Sequence, residues 1–238
     1  MHNEDYLIRA RRLHERAVVI DTHHDTTQRL KDKGWDIAVR HEDGHVDIPR
    51  LREGGIDAAF FAVFAAGPVE PGAGIAAARE QIELIQEMVR RHEDELALAR
   101  TAEEVRRAKR EGRIAILIAI EGGHLIEDSL DVLREYHARG ATYMTLTHAV
   151  HTGWADSAGV HAPIEPRHGG LSGFGREVIR EMNRLGVMVD VSHVSDATFW
   201  DVIETSSAPV VATHSCCRSV CPHRRNLSDE MMRAIASS

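Results

Sequence analysis

Short apolar runs recur along this chain at residues 17–20, 56–64, 113–120, 142–147, 187–192 and 209–213. They have strand length and lack the clean alternation of a strand with one solvated face, which predicts strands buried on both sides. Between them the apolar spacing is helical. Ile82, Ile85, Met88 and Val89 form one stripe within residues 72–98, and Thr101 followed by Glu104 is a capping-box start for a second short helix. Residues 125–139 read as a helix closed by Gly140, and Ser172 opens another that runs to Leu185 before Gly186. Ser195 and Ser228 start two more, and residues 1–16 read as an arginine-rich amphipathic helix. The polar stretch 26–50 is too long for a plain turn and reads as a loop that helps build a site.

Strands alternating with helices predict a parallel sheet. All but the second run lead into residues of metal-ligand type: His23 with Asp25, then Glu121, His148, His193 and His214. A parallel β/α barrel gathers the carboxyl ends of its strands on one face, so such residues can converge there from distant positions. The expected fold is therefore α/β, a TIM-like (β/α)8 barrel. No glycine-rich phosphate fingerprint follows the first strand, which leaves a dinucleotide-binding sheet without its main support.

With 238 residues, 43% of them hydrophobic, the chain can build one sizeable core, and residues 1–238 are expected to form a single domain. A net charge of −8 offers no basic field for a phosphate backbone, so nucleic acid is excluded as a partner. No run of about 18 apolar residues is present to span a membrane. No apolar core of signal-peptide length follows residues 1–16. Cys216, Cys217 and Cys221 are too clustered for a disulfide framework, which suits a cytoplasmic location. They read as small buried residues in a turn in preference to a soft-metal site. A homo-oligomer stays open.

The ligand types suit a pair of cations. His23 and Asp25 are two apart, and in extended backbone such residues point to the same side, so both can grip one ion. Glu121 has two carboxylate oxygens and can bridge, while His193 and His214 supply imidazole nitrogens to a second ion. Nitrogen and carboxylate ligands without thiolate suit Zn²⁺, with Mn²⁺, Co²⁺ or Fe²⁺ open under other loading. Two ions about 3.5 to 4 Å apart can hold a hydroxide and polarise a carbonyl, which is the equipment of a hydrolase. Taken singly, each histidine is more often an ordinary hydrogen-bonded residue; the joint placement after strands carries the reading.

The segments Val19-Ile-Asp-Thr-His-His-Asp25, Val46-Asp-Ile-Pro-Arg-Leu51, Ala119-Ile-Glu-Gly-Gly-His124, Tyr143-Met-Thr-Leu-Thr-His148, Trp154-Ala-Asp-Ser157, Val189-Asp-Val-Ser-His193 and Thr213-His-Ser215 with Arg224-Arg-Asn226 occur in this order across nearly the whole chain. Together they resemble the membrane dipeptidase (renal dipeptidase) family, zinc hydrolases on an amidohydrolase-type barrel. The resemblance implies two Zn²⁺, one held by His23 and Asp25 and the other by His193 and His214, with Glu121 bridging. It gives His148 contact with the substrate or its oxyanion, so Glu121 and His148 are the catalytic candidates. Arg225 would hold the carboxylate of the dipeptide's C-terminal residue, and Asn226 would position the same loop.

The function so implied is dipeptide hydrolysis. The alternatives are a catalytically inactive metal-binding remnant and a related amidohydrolase acting on a lactam, ester or N-acyl amino acid. After His214 the sequence runs only to Ser238, short of the roughly 60 residues that two more β/α units need. The barrel is accordingly expected to stop after about six units, without the aspartate that the family places after strand seven.

Overall fold

A computed structural model gives the fold and describes residues 3–238. Met1 and His2, which open the stretch read as lacking an export signal, lie outside the described residues. In chain order the elements begin with α1 (Asn3–Arg16), β1 (Ile20–His24), α2 (Thr26–Lys33), α3 (Ile48–Glu53), β2 (Ala58–Phe64), α4 (Ala73–Arg91), β3 (Leu96–Leu98), α5 (Ala102–Arg110) and β4 (Ile114–Glu121). A 3₁₀ turn (Gly123–Ile126) follows, then α6 (Leu130–Ala138), β5 (Ala141–Thr145), α7 (Gly173–Leu185), β6 (Met188–Asp190), α8 (Asp196–Thr205), β7 (Val210–Val211) and α9 (Asp229–Ser237). Among the described residues no helix is long and apolar enough to cross a membrane.

The sheet is parallel, with strand order β1-β2-β4-β5-β6-β7 and β3 paired to β4 off this path. Six strands in sequential order are the progression of a barrel wall wound in one direction; a doubly wound sheet would reverse. β4 is buried along its whole length and β2 along all but its last residue, as their unbroken apolar runs require.

The chain forms two compact units. The first comprises residues up to Phe61 together with Glu83–Leu117. In it Ile20 and Asp21 of β1 pair with Ala58 and Ala59 of β2. Asp57 joins three segments, since one of its oxygens accepts from Lys109 Nζ at 2.7 Å and from the Val19 amide at 2.8 Å, while Lys109 also donates to the Ala17 carbonyl. Asp47, fully buried, caps α3 by accepting from the Arg50 amide and Nε, both at 2.8 Å. Thr101 and Glu104 make both bonds of the expected capping box on α5.

The second unit comprises Ala62–Ile82 and Ile118–Ser238. Its core holds Ile118, Ile120, Leu125, Tyr136, Tyr143, Trp154, Ile179 and Phe199. The Tyr136 hydroxyl donates to the Leu125 carbonyl at 2.7 Å, which satisfies the one polar atom of that buried ring. Glu127, in left-handed backbone at the end of the 3₁₀ turn, accepts from the Gly72 and Ile75 amides and so caps α4. The register places Glu121 opposite Thr145, and Thr145 opposite Asp190, so the ends of β4, β5 and β6 lie level.

Several sequence expectations shift. The stretch 26–50 is no plain loop: it contains α2, closed by left-handed Gly34, and the start of α3. α2 buries only Thr26, Thr27 and Leu30, too little apolar surface to show as a stripe. The helical stretch 72–98 is α4 plus the short β3, and 125–139 is a 3₁₀ turn followed by α6 with Ser129 as its cap. The first strand runs Ile20–His24, so His23 lies within it. Cys216 and Cys221 are exposed and Cys217 half-buried, which corrects the expectation of small buried residues.

Candidate metal centre

Glu121 is the last residue of β4 and is 4% exposed, a carboxylate at the end of an apolar strand. The chain leaves it through Gly122, whose φ is +104°, and Gly123, where a Cβ would stand 2.4 Å from Trp154 Cζ2 and 2.6 Å from the Leu146 carbonyl oxygen. Only glycine passes there, which explains the Glu-Gly-Gly motif. His124 then contacts the Ala65 carbonyl through Nε2 at 2.9 Å.

Three histidines from the ends of β5, β6 and β7 face the same carboxylate. Nε2 of His148, His193 and His214 lies 3.6, 3.4 and 3.6 Å from Glu121 Oε1. The rings are close: His148 and His193 have centroids 4.4 Å apart, and His193 Nε2 is 2.8 Å from His214 Nε2. Phe64 also packs against His148, with ring centroids 4.6 Å apart and the planes tilted.

His193 has φ +70°, a left-handed conformation that costs a non-glycine residue of order 1–3 kcal/mol and gathers at functional sites. Its carbonyl accepts from the Ala158 amide at 2.8 Å, and the Ser157 hydroxyl lies against the carbonyls of both His148 and His193. Ser157 is held in turn by its neighbour Asp156, whose buried carboxylate accepts from the amides of Arg167, His168, Gly169 and Gly170 and folds the long excursion after β5. The Trp-Ala-Asp-Ser motif thus braces two of the rings.

Electrostatics favour a cation at this point. Burial, then repulsion from His193, holds the His148 imidazole down at about 4, and burial lowers His193 as well. Neutral imidazoles present lone pairs beside a carboxylate oxygen, and the buried His193 Nδ1 has no hydrogen-bond partner. Nitrogen and carboxylate oxygen without thiolate form the donor set of a divalent ion of the zinc type, so the residues fit such a group. Glu121, His148 and His193 bring ligand atoms within 4.8 Å of one another.

Arg225 stands by the same strand end, with Nη2 3.5 Å from the His214 carbonyl. Its Nη1 is buried and lacks a hydrogen-bond partner. Burial pulls its guanidinium below the usual pKa, against the opposing effect of Asp190 and Glu121. Asn226 ties its loop, accepting from the Cys216 amide at 3.2 Å and donating to the Cys221 carbonyl at 2.8 Å. In the first unit His23 Nε2 lies 3.8 Å from Asp25 Oδ1, but Asp25 stands past the end of β1 with φ −94° and ψ 23°, so the pair does not share the extended backbone expected of it. Two residues to which the sequence reading gave no role, Asp190 and Thr213, lie directly behind His214: the Thr213 hydroxyl is 2.8 Å from Nδ1 and donates to Asp190. The signal was present in Asp190, a carboxylate inside an otherwise apolar strand.

Comparisons with known proteins show which family the chain is similar to. The model of the membrane dipeptidase family, peptidase family M19, matches residues 7–238. The chain is 42% identical over 200 residues to the dipeptidase aclJ of Aspergillus oryzae, an alignment that covers 81% of this chain and 47% of that protein, so the chain spans about half the length of that curated relative. Among solved structures, the probable dipeptidase PvdM of Pseudomonas aeruginosa superposes with a TM-score of 0.88 at 29% identity, covering 100% of this chain and 62% of that one. A metallopeptidase from Rhodobacter sphaeroides, liganded with a phosphinate mimic of the dipeptide L-Ala-D-Ala, superposes with a TM-score of 0.85 at 28% identity, over 93% of this chain and 71% of that one.

Proposed function

We propose, from the premise that this chain belongs to the membrane dipeptidase family of metallopeptidases, that it hydrolyses the peptide bond of dipeptides with divalent ions, zinc foremost. The observation that carries this is the convergence of three imidazole nitrogens on one oxygen of Glu121. That the Rhodobacter sphaeroides metallopeptidase was solved with a dipeptide mimic supports a substrate of this size.

Glu121, His193 and His214 would hold an ion. His23 and Asp25 would serve as ligands of a further one, on the strength of their motif and mutual distance. Such ions, when bound, supply Lewis acidity to the scissile carbonyl and make water acidic enough to react near neutral pH. His148, neutral across the physiological range, would donate a hydrogen bond to the oxyanion that develops on that carbonyl. Arg225 would receive the substrate carboxylate with the Nη1 donor that has no protein partner, since a guanidinium fork matches a carboxylate. Asn226 would keep the Arg225 loop in place.

The test is release of free amino acids from a panel of dipeptides, L-Ala-D-Ala among them, by the chain with and without added Zn²⁺. Zinc-dependent release is the expected result. Bound zinc with no release from any dipeptide overturns the proposal and leaves a metal-binding protein without this activity.

A further inference from the structure

Asp190 is wholly buried in β6, and a carboxylate in that position is costly unless its oxygens are satisfied. Four donors from three strand ends satisfy them. Oδ2 accepts from the hydroxyls of Thr145 at 2.6 Å and Thr213 at 2.8 Å, and Oδ1 accepts from the amides of Ser192 and Thr213, both at 3.0 Å. One of these donors also faces the centre: Thr213 Oγ1 lies 2.8 Å from His214 Nδ1.

A hydroxyl has a single proton to give. The carboxylate only accepts, and a hydrogen bond to an ionised acceptor is roughly twice as strong as one to a neutral group, so the proton points at Asp190. The hydroxyl then offers the imidazole a lone pair, and Nδ1 must carry the ring proton. In a neutral ring this leaves Nε2 unprotonated, and Nε2 is the atom 2.8 Å from His193 Nε2 and 3.6 Å from Glu121 Oε1. The opposite tautomer would place a proton where a cation has to sit. Ser192 Oγ accepts from the His214 amide at 3.1 Å and holds the backbone in the matching position.

We infer that Asp190 is a positioning residue which, acting through the Thr213 hydroxyl, fixes the Nδ1–H tautomer of His214 and so presents Nε2 as a ligand to a divalent ion. The inference rests on the proposed binding of an ion by His214 and adds the device that prepares the ring for it. Partners of this kind typically change metal affinity by about 10- to 100-fold.

Two measurements test it. Nitrogen-15 NMR of the metal-free chain, at a pH where the ring is neutral, should show His214 protonated at Nδ1. The Nε2–H form there overturns the inference without any substitution. Zinc affinity is then measured by chelator competition: Thr213→Val should move His214 toward the Nε2–H form and weaken binding about 10- to 100-fold, and Thr213→Ser should restore both. Asp190→Asn should act in the same direction, because a carboxamide can donate to the Thr213 hydroxyl and turn its proton onto His214. A folded Thr213→Val chain with unchanged tautomer and affinity refutes the relay. If that variant does not fold, the tautomer of the unsubstituted chain decides. An Nδ1–H tautomer in a chain that takes up no zinc leaves the tautomer assignment standing and sinks the proposed metal function.

Discussion

His193 Nε2 and His214 Nε2 stand 2.8 Å apart, and both face the same oxygen of Glu121. Lone pairs on those two nitrogens and on the carboxylate would repel one another unless a ring proton or a cation lies among them. Glu121 is the common neighbour. Glu121→Ala should therefore remove most of the bound metal, as read by elemental analysis after dialysis, and full retention would contradict the ligand assignment.

His148 shares that neighbour but is proposed to work on the substrate. His148→Ala should keep most of the metal and lower kcat by about 10²-fold, the usual scale for losing an oxyanion donor. Loss of metal along with activity would make the ring a ligand instead.

The partnerless Nη1 of Arg225 points to a carboxylate partner. Arg225→Ala should raise KM for dipeptides by about 10²-fold, in keeping with a charge-assisted hydrogen bond of roughly 2–3 kcal/mol, and leave C-terminally amidated analogues nearly unaffected. Equal loss on both substrate types would assign Arg225 a purely structural part, and undiminished turnover of amidated substrates by the parent chain would favour a broader amidohydrolase.

Asp47 supports the architecture of the first unit. Its buried carboxylate caps α3 and pairs with Arg50, whose guanidinium also donates to the Gly44 and His41 carbonyls, so Asp47→Ala should cost about 2 kcal/mol, mainly by removing the cap. Urea denaturation measures it, and a loss under about 0.5 kcal/mol, the range of ordinary surface substitutions, would refute the account.

Glu181 gives a dependence on acid. Its hydrogen bond with Arg184, reinforced by Arg134, holds its carboxyl down at about 2 from an ordinary 4.5. A lowered folded-state pKa means stability that is complete above about pH 4.5 and is lost as the pH falls to about 2, because the unfolded chain takes up the proton first. Glu181→Gln should flatten the denaturation midpoint across that window. An unchanged pH slope would show that the pairing contributes nothing.

Much of this centre could be read from the sequence because its candidate ligands follow apolar runs. Glu121 after residues 114–120 is the clearest example, and the capping box at Thr101 and the serine caps at Ser172, Ser195 and Ser228 formed as expected. Other parts were hidden for physical reasons. β3 is three residues long and carries no pattern of its own, and α2 buries too few residues to display a periodicity. The left-handed backbone of His193 contradicts local preference and is imposed by tertiary contacts. The relay from Asp190 was invisible because its members are 23 residues apart and meet only through strand register.

The Ser157 hydroxyl, which touches the carbonyls behind both His148 and His193, makes the lengthy excursion downstream of β5 a structural strut for the centre. Insertions, deletions or proteolytic nicks in that stretch would accordingly blur the aim of two imidazoles while leaving the sheet beneath them whole.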